Sequence, residues 1–404
     1  MKKAVIYGAG NIGRGFIGQI FSQSGYEIVF LDINTVIVDR LNSDHCYPIQ
    51  ILGDGVVNEI FVENARGVNA ADIDLTTYEI ATADIMASSV GVNVLPRIVG
   101  NIAGGLIKRW ESGNFKPLNI IICENLLDAN HYLENLIKQV LGIKEIMYFD
   151  ETVGLVEASI GRMVPVMTPE MQKDNPLKVC VEEYCELPVD KDAFKGEIPD
   201  IINMEPFSPF DFYIQRKLFM HNMAHALMAY LGFSEDIKYI WEANNNPYIK
   251  LITLRALMES SVAMSEEHGV PLKILFEHSE DLLYRFGNRL LGDTVERVGK
   301  DPIRKLSKND RMIGAGLLCQ KHGIKPVYIS LGIAAGFLFD PKEDLFASKV
   351  RGEVLTNGIE TAIMEICGIE ASNSMIKMIT EFYALLNCRL GLDEILLKAE
   401  QMKK

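Results

Sequence analysis

Val5-Ile6-Tyr7-Gly8-Ala9-Gly10-Asn11-Ile12-Gly13 reads as a buried strand, a G-x-G-x-x-G turn and the opening of a helix. Gly8 permits the tight turn, Gly10 lets the backbone approach a pyrophosphate, and Gly13 allows close helix–strand packing. The helix N-terminus then offers unpaired N–H groups to phosphate oxygens. A second strand, Ile28–Leu31, ends at Asp32, where an acidic residue would bind the adenosine ribose hydroxyls. Ile33 and Asn34 follow, with no adjacent arginine for a 2′-phosphate, so NAD is expected over NADP. The expected cofactor contacts are Gly8, Ala9, Gly10, Asn11, Ile12, Gly13 and Asp32, with Val90 and Gly91 further on. The competing reading is a glycine turn and a capping aspartate without a ligand. The agreement of loop, helix and acidic residue argues against it.

Outward from this loop, Arg14–Ser24 carries Phe16, Ile17, Ile20 and Phe21 at helical spacing, and Gly25 ends it. Asp84–Ser88 and Asn119–Cys123 resemble further buried parallel strands. The alternation predicts an α/β Rossmann-type domain with a parallel twisted sheet. Pro48–Phe61, with Gly53-Asp54-Gly55 in its middle, is expected to be an inserted hairpin. Gly154–Val166 and Leu177–Leu187 read as additional strands. Pro199, Pro206 and Pro209 mark a hinge or linker near residue 200. Beyond it, Leu251–Ser265, Lys273–Phe286, Met312–Gln320 and Met375–Cys388 carry apolar residues at helical spacing. The expected organisation is an NAD-binding domain over 1–200 and a mostly α-helical substrate and catalytic domain over 201–404.

The chain has 404 residues, 48% hydrophobic and 23% charged, the balance of a globular protein rather than a disordered or fibrous one. A net charge of −14 argues against nucleic-acid partners, which demand basic surfaces. The cysteines, at 46, 123, 180, 185, 319, 367 and 388, form no CxxC pair and read as free thiols in a reducing cytoplasm. The apolar run after Lys2-Lys3 stops at Gly8, short of the ~7–15 residues of a signal-peptide core. Val327–Phe339 is too short to span a bilayer. A cytoplasmic location, no membrane partner and a monomer or small homo-oligomer are expected.

The stretch 209–231 is expected to be one helix. Ser208-Pro209 would cap it, Asp211 would favour its positive end, and Gly232 would stop it. At about 100° per residue, Asn222 falls about 140° and His225 about 80° from Lys217, on one broad face. His221 and His225 have the spacing of a helical zinc pair, but no glutamate follows His221 as in HExxH, so no metal is expected. Lys217, flanked by Leu218, Phe219 and Met220, fits a desolvated general base. From the bare spacing alone, a solvated lysine and hydrogen-bonded core histidines are the favoured reading.

Lys217-(x4)-Asn222-(x2)-His225 resembles the K-x-x-x-x-N-x-x-H signature of the polyol-specific long-chain dehydrogenases, the mannitol dehydrogenase family. Gly8–Gly18, Cys123-Glu124-Asn125, Arg216–Phe219, Ala229–Gly232 and Glu296–Gly299 carry the same resemblance. It implies metal-independent hydride transfer between NAD and a sugar alcohol. Lys217 would be the general base, Asn222 and Asn125 would hold the developing alkoxide, and His225 would bind substrate. Arg297 and Lys305 have the eight-residue spacing of the family's substrate-contacting arginine and lysine.

Those two lie in a basic island, Arg297–Arg311, carrying six cations and two aspartates (Arg297, Lys300, Asp301, Arg304, Lys305, Lys308, Asp310, Arg311). Such a cluster suits a phosphate, or is a solvated loop before a helix capped by Ser307. The expected reaction interconverts mannitol 1-phosphate and fructose 6-phosphate, so the partner is a small polyol or sugar phosphate. The alternative within the family is an unphosphorylated polyol or a hexuronate, as in mannitol 2-dehydrogenase or the tagaturonate and fructuronate reductases. A departure bears on this choice: Gly161 stands where the family has an aspartate. A dinucleotide-binding regulator without turnover would leave Lys217, Asn222 and His225 unexplained.

Overall fold

The computed structural model describes every residue except Asp54, Leu127, Val166, Lys173 and Lys404. It divides into two compact units, Met1–Tyr213 and Ile214–Lys404.

The strands of the first unit are β1 (Lys2–Tyr7), β2 (Tyr26–Asp32), β3 (Cys46–Leu52), β4 (Val57–Glu63), β5 (Ala65–Asn69), β6 (Ile85–Ser88), β7 (Leu118–Ile122), β8 (Val153–Glu157), β9 (Val179–Glu182), β10 (Leu187–Asp190) and β11 (Met204–Phe207). Six of them form one parallel sheet in the order β5-β2-β1-β6-β7-β8. Counted along the sheet's own strands, this is the 3-2-1-4-5-6 order of the doubly wound dinucleotide fold. The strand order reverses between β1 and β6, so the crevice for a ligand opens there, at the carboxyl ends of the strands. Strand alternation sends Ile6, Ile28 and Phe30 into one core with Phe16, Ile17 and Ile20. Val5, Val29 and Leu31 go into the other, with Ile98, Ile102 and Leu106. Burial on both faces is why these strands read as continuous apolar runs.

β3 and β4 form the predicted antiparallel hairpin, and β9 joins β3 in parallel. Asp54, in the middle of the predicted turn, lies outside the described residues. Other expectations need correction. The helix expected over Arg14–Ser24 is a π turn, Gly13–Gly18, followed by a short α-helix, Gln19–Gln23. The strand expected over Gly154–Val166 ends at Glu157. Beyond it the buried Arg162 guanidinium donates to the Glu182 and Gly15 carbonyls; Val166 itself lies outside the described residues. Leu177–Leu187 contains only β9 before β10 begins. β10 pairs with β11, and the Ser159 hydroxyl donates to the Tyr213 carbonyl at 3.2 Å. These bonds keep residues 201–213 with the first unit.

The second unit is helical. Its helices Pro247–His268, Leu272–Phe286 and Arg311–Lys321 contain three of the predicted apolar patterns, and Ser374–Asn387 holds the fourth up to its C-cap, Cys388. Asp310, not Ser307, caps Arg311–Lys321. Val327–Leu338 is buried on nearly every side, which explains why it is apolar throughout except at Ser330. Among the described residues no helix is long and apolar enough to cross a membrane. The predicted helix 209–231 runs instead from Asp211 to Ser234, with a π turn at Lys217–Asn222. Gly232 lies inside it. A Cβ there would press on Val295 and Ala243 at 3.0 and 3.1 Å, so its small size serves packing rather than termination.

Candidate functional site

In the first unit, Gly8 has φ +101° and donates its N–H to the Leu31 carbonyl at 2.9 Å. A Cβ on Gly8 would lie 2.7 Å from the Ser89 carbonyl oxygen, and one on Gly13 only 2.0 Å from that of Gly8. Both glycines are required by the turn itself. Gly10 differs: a Cβ there would meet nothing within 4 Å. Protein does not crowd it, as the close approach of a pyrophosphate requires. Asn11 and Ile12, at the helix opening, are half-buried. The loop and helix start therefore fit a dinucleotide.

Asp32 ends β2 half-buried. Its Oδ2 accepts the Ala9 N–H at 2.7 Å and its Oδ1 the Asn34 N–H at 2.9 Å. The carboxylate thus shapes the glycine loop and keeps lone pairs for ribose hydroxyls. Val90 and Gly91 both donate their N–H groups to the buried Glu124 carboxylate, at 2.9 and 2.8 Å. Burial pushes the Glu124 pKa up, opposed by those two N–H groups and by Ser88. Glu124 so ties the loop after β6 to the end of β7, where the next residue, Asn125, is exposed.

In the second unit, Lys217 and Asn222 begin and end the π turn, and His225 follows one turn on. The α-helical angles do not apply here, because the wider i→i+5 turn brings residues five apart closer to one face. Lys217, Asn222 and His225 are all partly accessible, whereas His221 is buried. The His225 ring stacks on Phe286, with centroids 4.7 Å apart and planes at 10°. Its Nε2 is buried without a hydrogen-bond partner among the described residues. Asp293 Oδ2 lies 3.8 Å from it, beyond hydrogen-bond range. Burial, then Arg297, Lys305, Arg311 and Arg285, push His225 down to about 3. The ring is neutral at physiological pH, so the contact with Asp293 is not an ion pair.

Four cations therefore gather around His225. Arg297 pairs with Asp293 and keeps nearly half of its side chain exposed. Arg311 and Arg304 both bond Asp310, and Arg304 also bonds Asp301. Lys305 is 5% exposed and donates to the carbonyls of Val298, at 2.7 Å, and Lys300. Burial and the Arg311 and Arg304 guanidiniums bring its pKa down to about 7. Of the six cations of the basic island only Lys305 is buried; Arg297, Lys300, Arg304 and Lys308 are exposed, while Arg297, Arg304 and Arg311 each pair with an aspartate. Sequence reasoning missed Asp293, though its place four residues before Arg297 is the spacing of a helical ion pair. It also missed Arg285, which nothing in the local pattern marks.

The family model of the mannitol dehydrogenase Rossmann domain matches residues 2–203, and that of the mannitol dehydrogenase C-terminal domain matches residues 210–385. The chain belongs to the mannitol dehydrogenase family. It is 39% identical to a mannitol-1-phosphate 5-dehydrogenase of Thermoanaerobacter pseudethanolicus, over 95% of this chain and 97% of the relative. It is 38% identical to the enzyme of that name from Caldanaerobacter subterraneus subsp. tengcongensis, over 96% and 100%. Among solved structures it resembles a D-sorbitol dehydrogenase, with a TM-score of 0.82 at 13% identity, covering 97% of this chain and 94% of that one. It also resembles Pseudomonas fluorescens mannitol 2-dehydrogenase in ternary complex with NAD and D-mannitol, with a TM-score of 0.75 at 15% identity and 98% and 94% coverage.

As a mannitol dehydrogenase family member the chain is an oxidoreductase, the class that the glycine loop and the Lys217 helix pointed to. Among its described residues, no group of three or more His, Cys, Asp or Glu side chains could hold a metal. The His221 and His225 rings stand 6.1 Å apart, edge to face. At Gly161, the departure from the family pattern, a Cβ would lie 3.2 Å from the Tyr184 ring.

Proposed function

We propose that this chain is an NAD-dependent, metal-independent mannitol-1-phosphate 5-dehydrogenase that interconverts mannitol 1-phosphate and fructose 6-phosphate. Lys217 takes the hydroxyl proton as the carbon–hydrogen bond breaks and the hydride leaves. Asn222 and Asn125 donate hydrogen bonds to the developing alkoxide, an oxyanion-type role. His225 binds a substrate hydroxyl through Nε2, and Arg297 reads the phosphate, with Lys305 completing the polyol contacts. NAD, when bound, supplies the hydride acceptor. The observation that carries this reading is the neutral Nε2 of His225, without a hydrogen-bond partner among the described residues and set among Arg297, Lys305, Arg311 and Arg285. A buried polar atom left without such a partner suits a ligand hydroxyl, and the surrounding cations suit a dianionic substrate.

The test is NADH oxidation screened across fructose 6-phosphate, fructose, other ketose phosphates and ketouronates. Fructose 6-phosphate is expected to give the highest kcat/KM. A ketouronate or unphosphorylated ketose ahead of it transfers the assignment to that substrate.

Asp32 sets the cofactor choice. Asp32→Ala raises the KM for NAD and narrows the preference over NADP. Because Asp32 also accepts the Ala9 and Asn34 N–H groups, the loop loosens for both dinucleotides. The NAD-to-NADP ratio is therefore the informative measurement. A wild type that prefers NADPH contradicts the role given to Asp32.

Proton transfer by Lys217 requires no metal, so incubation with a chelator leaves activity unchanged. Stoichiometric zinc held through His221 and His225, lost together with activity, is the contrary result.

A further inference from the structure

The π turn Lys217–Asn222 has an external support. Met223, which follows it, donates its N–H to the Met220 carbonyl three residues back. The Phe219 carbonyl, inside the turn, accepts the Ser260 hydroxyl at 2.8 Å. Ser260 is 1% exposed and belongs to the helix Pro247–His268. Its neighbour Glu259 accepts the backbone N–H groups of Val327, Tyr328 and Ile329, so the helix segment that presents Ser260 is itself anchored.

The first unit repeats the device. Gln19, after the π turn Gly13–Gly18, donates to the Phe16 carbonyl three residues back. The Gly15 carbonyl accepts the Arg162 guanidinium at 3.0 Å. In both turns a buried side-chain donor from outside the helix takes the carbonyl one residue earlier, and such insertions are a recognised cause of local departures from the α ladder.

We propose that Ser260 is a positioning residue that keeps Lys217–Asn222 in π form and thereby sets Lys217 and Asn222 on one face of the helix. In α geometry the two would diverge by about 140°. The i→i+5 turn brings them together. Ser260 acts only through the Phe219 carbonyl. The inference rests on Lys217 being the base and Asn222 an alkoxide ligand.

The test compares Ser260→Thr with Ser260→Val, two side chains of nearly the same shape that differ in the hydroxyl. Strain from the added volume is common to both. Ser261→Ala is the control: it removes a buried hydroxyl from the neighbouring position, one that faces Ser279 at 3.2 Å rather than the turn. Misplacing a reacting group by 1 Å costs on the order of 10²-fold, so Ser260→Val is expected to lower kcat at least about 10-fold below Ser260→Thr. The KM for NADH should stay level between the two, and Ser261→Ala should keep wild-type kcat. Equal kcat for Thr and Val, or an equal loss in Ser261→Ala, overturns the proposal. Lys217→Met in the same series separates the two levels. If it is inactive while Thr and Val match, only the role of Ser260 falls. If it turns over normally, the reading beneath falls as well.

Discussion

Lys217→Met lowers kcat by at least ~10²-fold, the low end of what a positioned general base contributes. The variant still binds NADH, because the glycine loop, Asp32 and Glu124 all belong to the other compact unit. Methionine keeps most of the aliphatic stem and removes the ammonium. The defect should therefore appear in kcat rather than in thermal stability. Alcohol oxidation by the wild type accelerates with pH as the base loses its proton, and the variant loses that dependence. A second lysine must be kept apart in this experiment. Lys305, brought down to about 7 by burial and its neighbouring guanidiniums, also titrates within a pH profile of this kind. A pH dependence near 7 that persists in Lys217→Met belongs to Lys305. Near-normal turnover in Lys217→Met removes the proposed mechanism.

Arg297→Ala lowers kcat/KM for fructose 6-phosphate by roughly 10- to 150-fold, as expected for a charge-assisted hydrogen bond contributing about 1.5–3 kcal/mol. Unphosphorylated fructose loses much less. The structure adds a condition to this measurement. Arg297 is the partner of Asp293, a buried carboxylate whose pKa burial raises and Arg297 lowers. Removing the guanidinium strands that carboxylate beside His225, a cost that falls on both ketoses. The ratio between them isolates the phosphate. Equal losses on both mean that Arg297 reads the polyol chain, and an unphosphorylated polyol or hexuronate becomes the better assignment.

The doubly wound sheet was legible because its strands are buried on both faces and its glycine loop sits at the strand-to-helix junction. Val5, Ile6, Val29 and Phe30 need no tertiary knowledge to read as core. The inward turn of Arg162 was not legible, since its acceptors, Gly15 and Glu182, are carbonyls distant in sequence. The π turns were hidden for the same reason. A 3.6-residue period is a property of the local chain, whereas the Phe219 carbonyl is held by a hydroxyl 41 residues away. In the candidate site it was the resemblance to the family signature, not the bare spacing, that singled out Lys217, Asn222 and His225, and neither pointed to their surroundings. The basic island looked like six cations open to an anion. In the fold Lys305 donates to carbonyls, and Arg297, Arg304 and Arg311 pair with aspartates that local spacing did not single out as partners.

The measurement that bears most directly on the proposed function is NADH-dependent reduction of fructose 6-phosphate, run at saturating NADH with wild type and Lys217→Met side by side and with fructose as the second substrate. Wild type is expected to turn over with a clear preference for the phosphorylated ketose, and the variant to lose at least ~10²-fold while NADH still binds. Turnover of fructose but not of fructose 6-phosphate, no consumption of NADH by the wild type, or a Lys217→Met enzyme as fast as the wild type would contradict the proposed function.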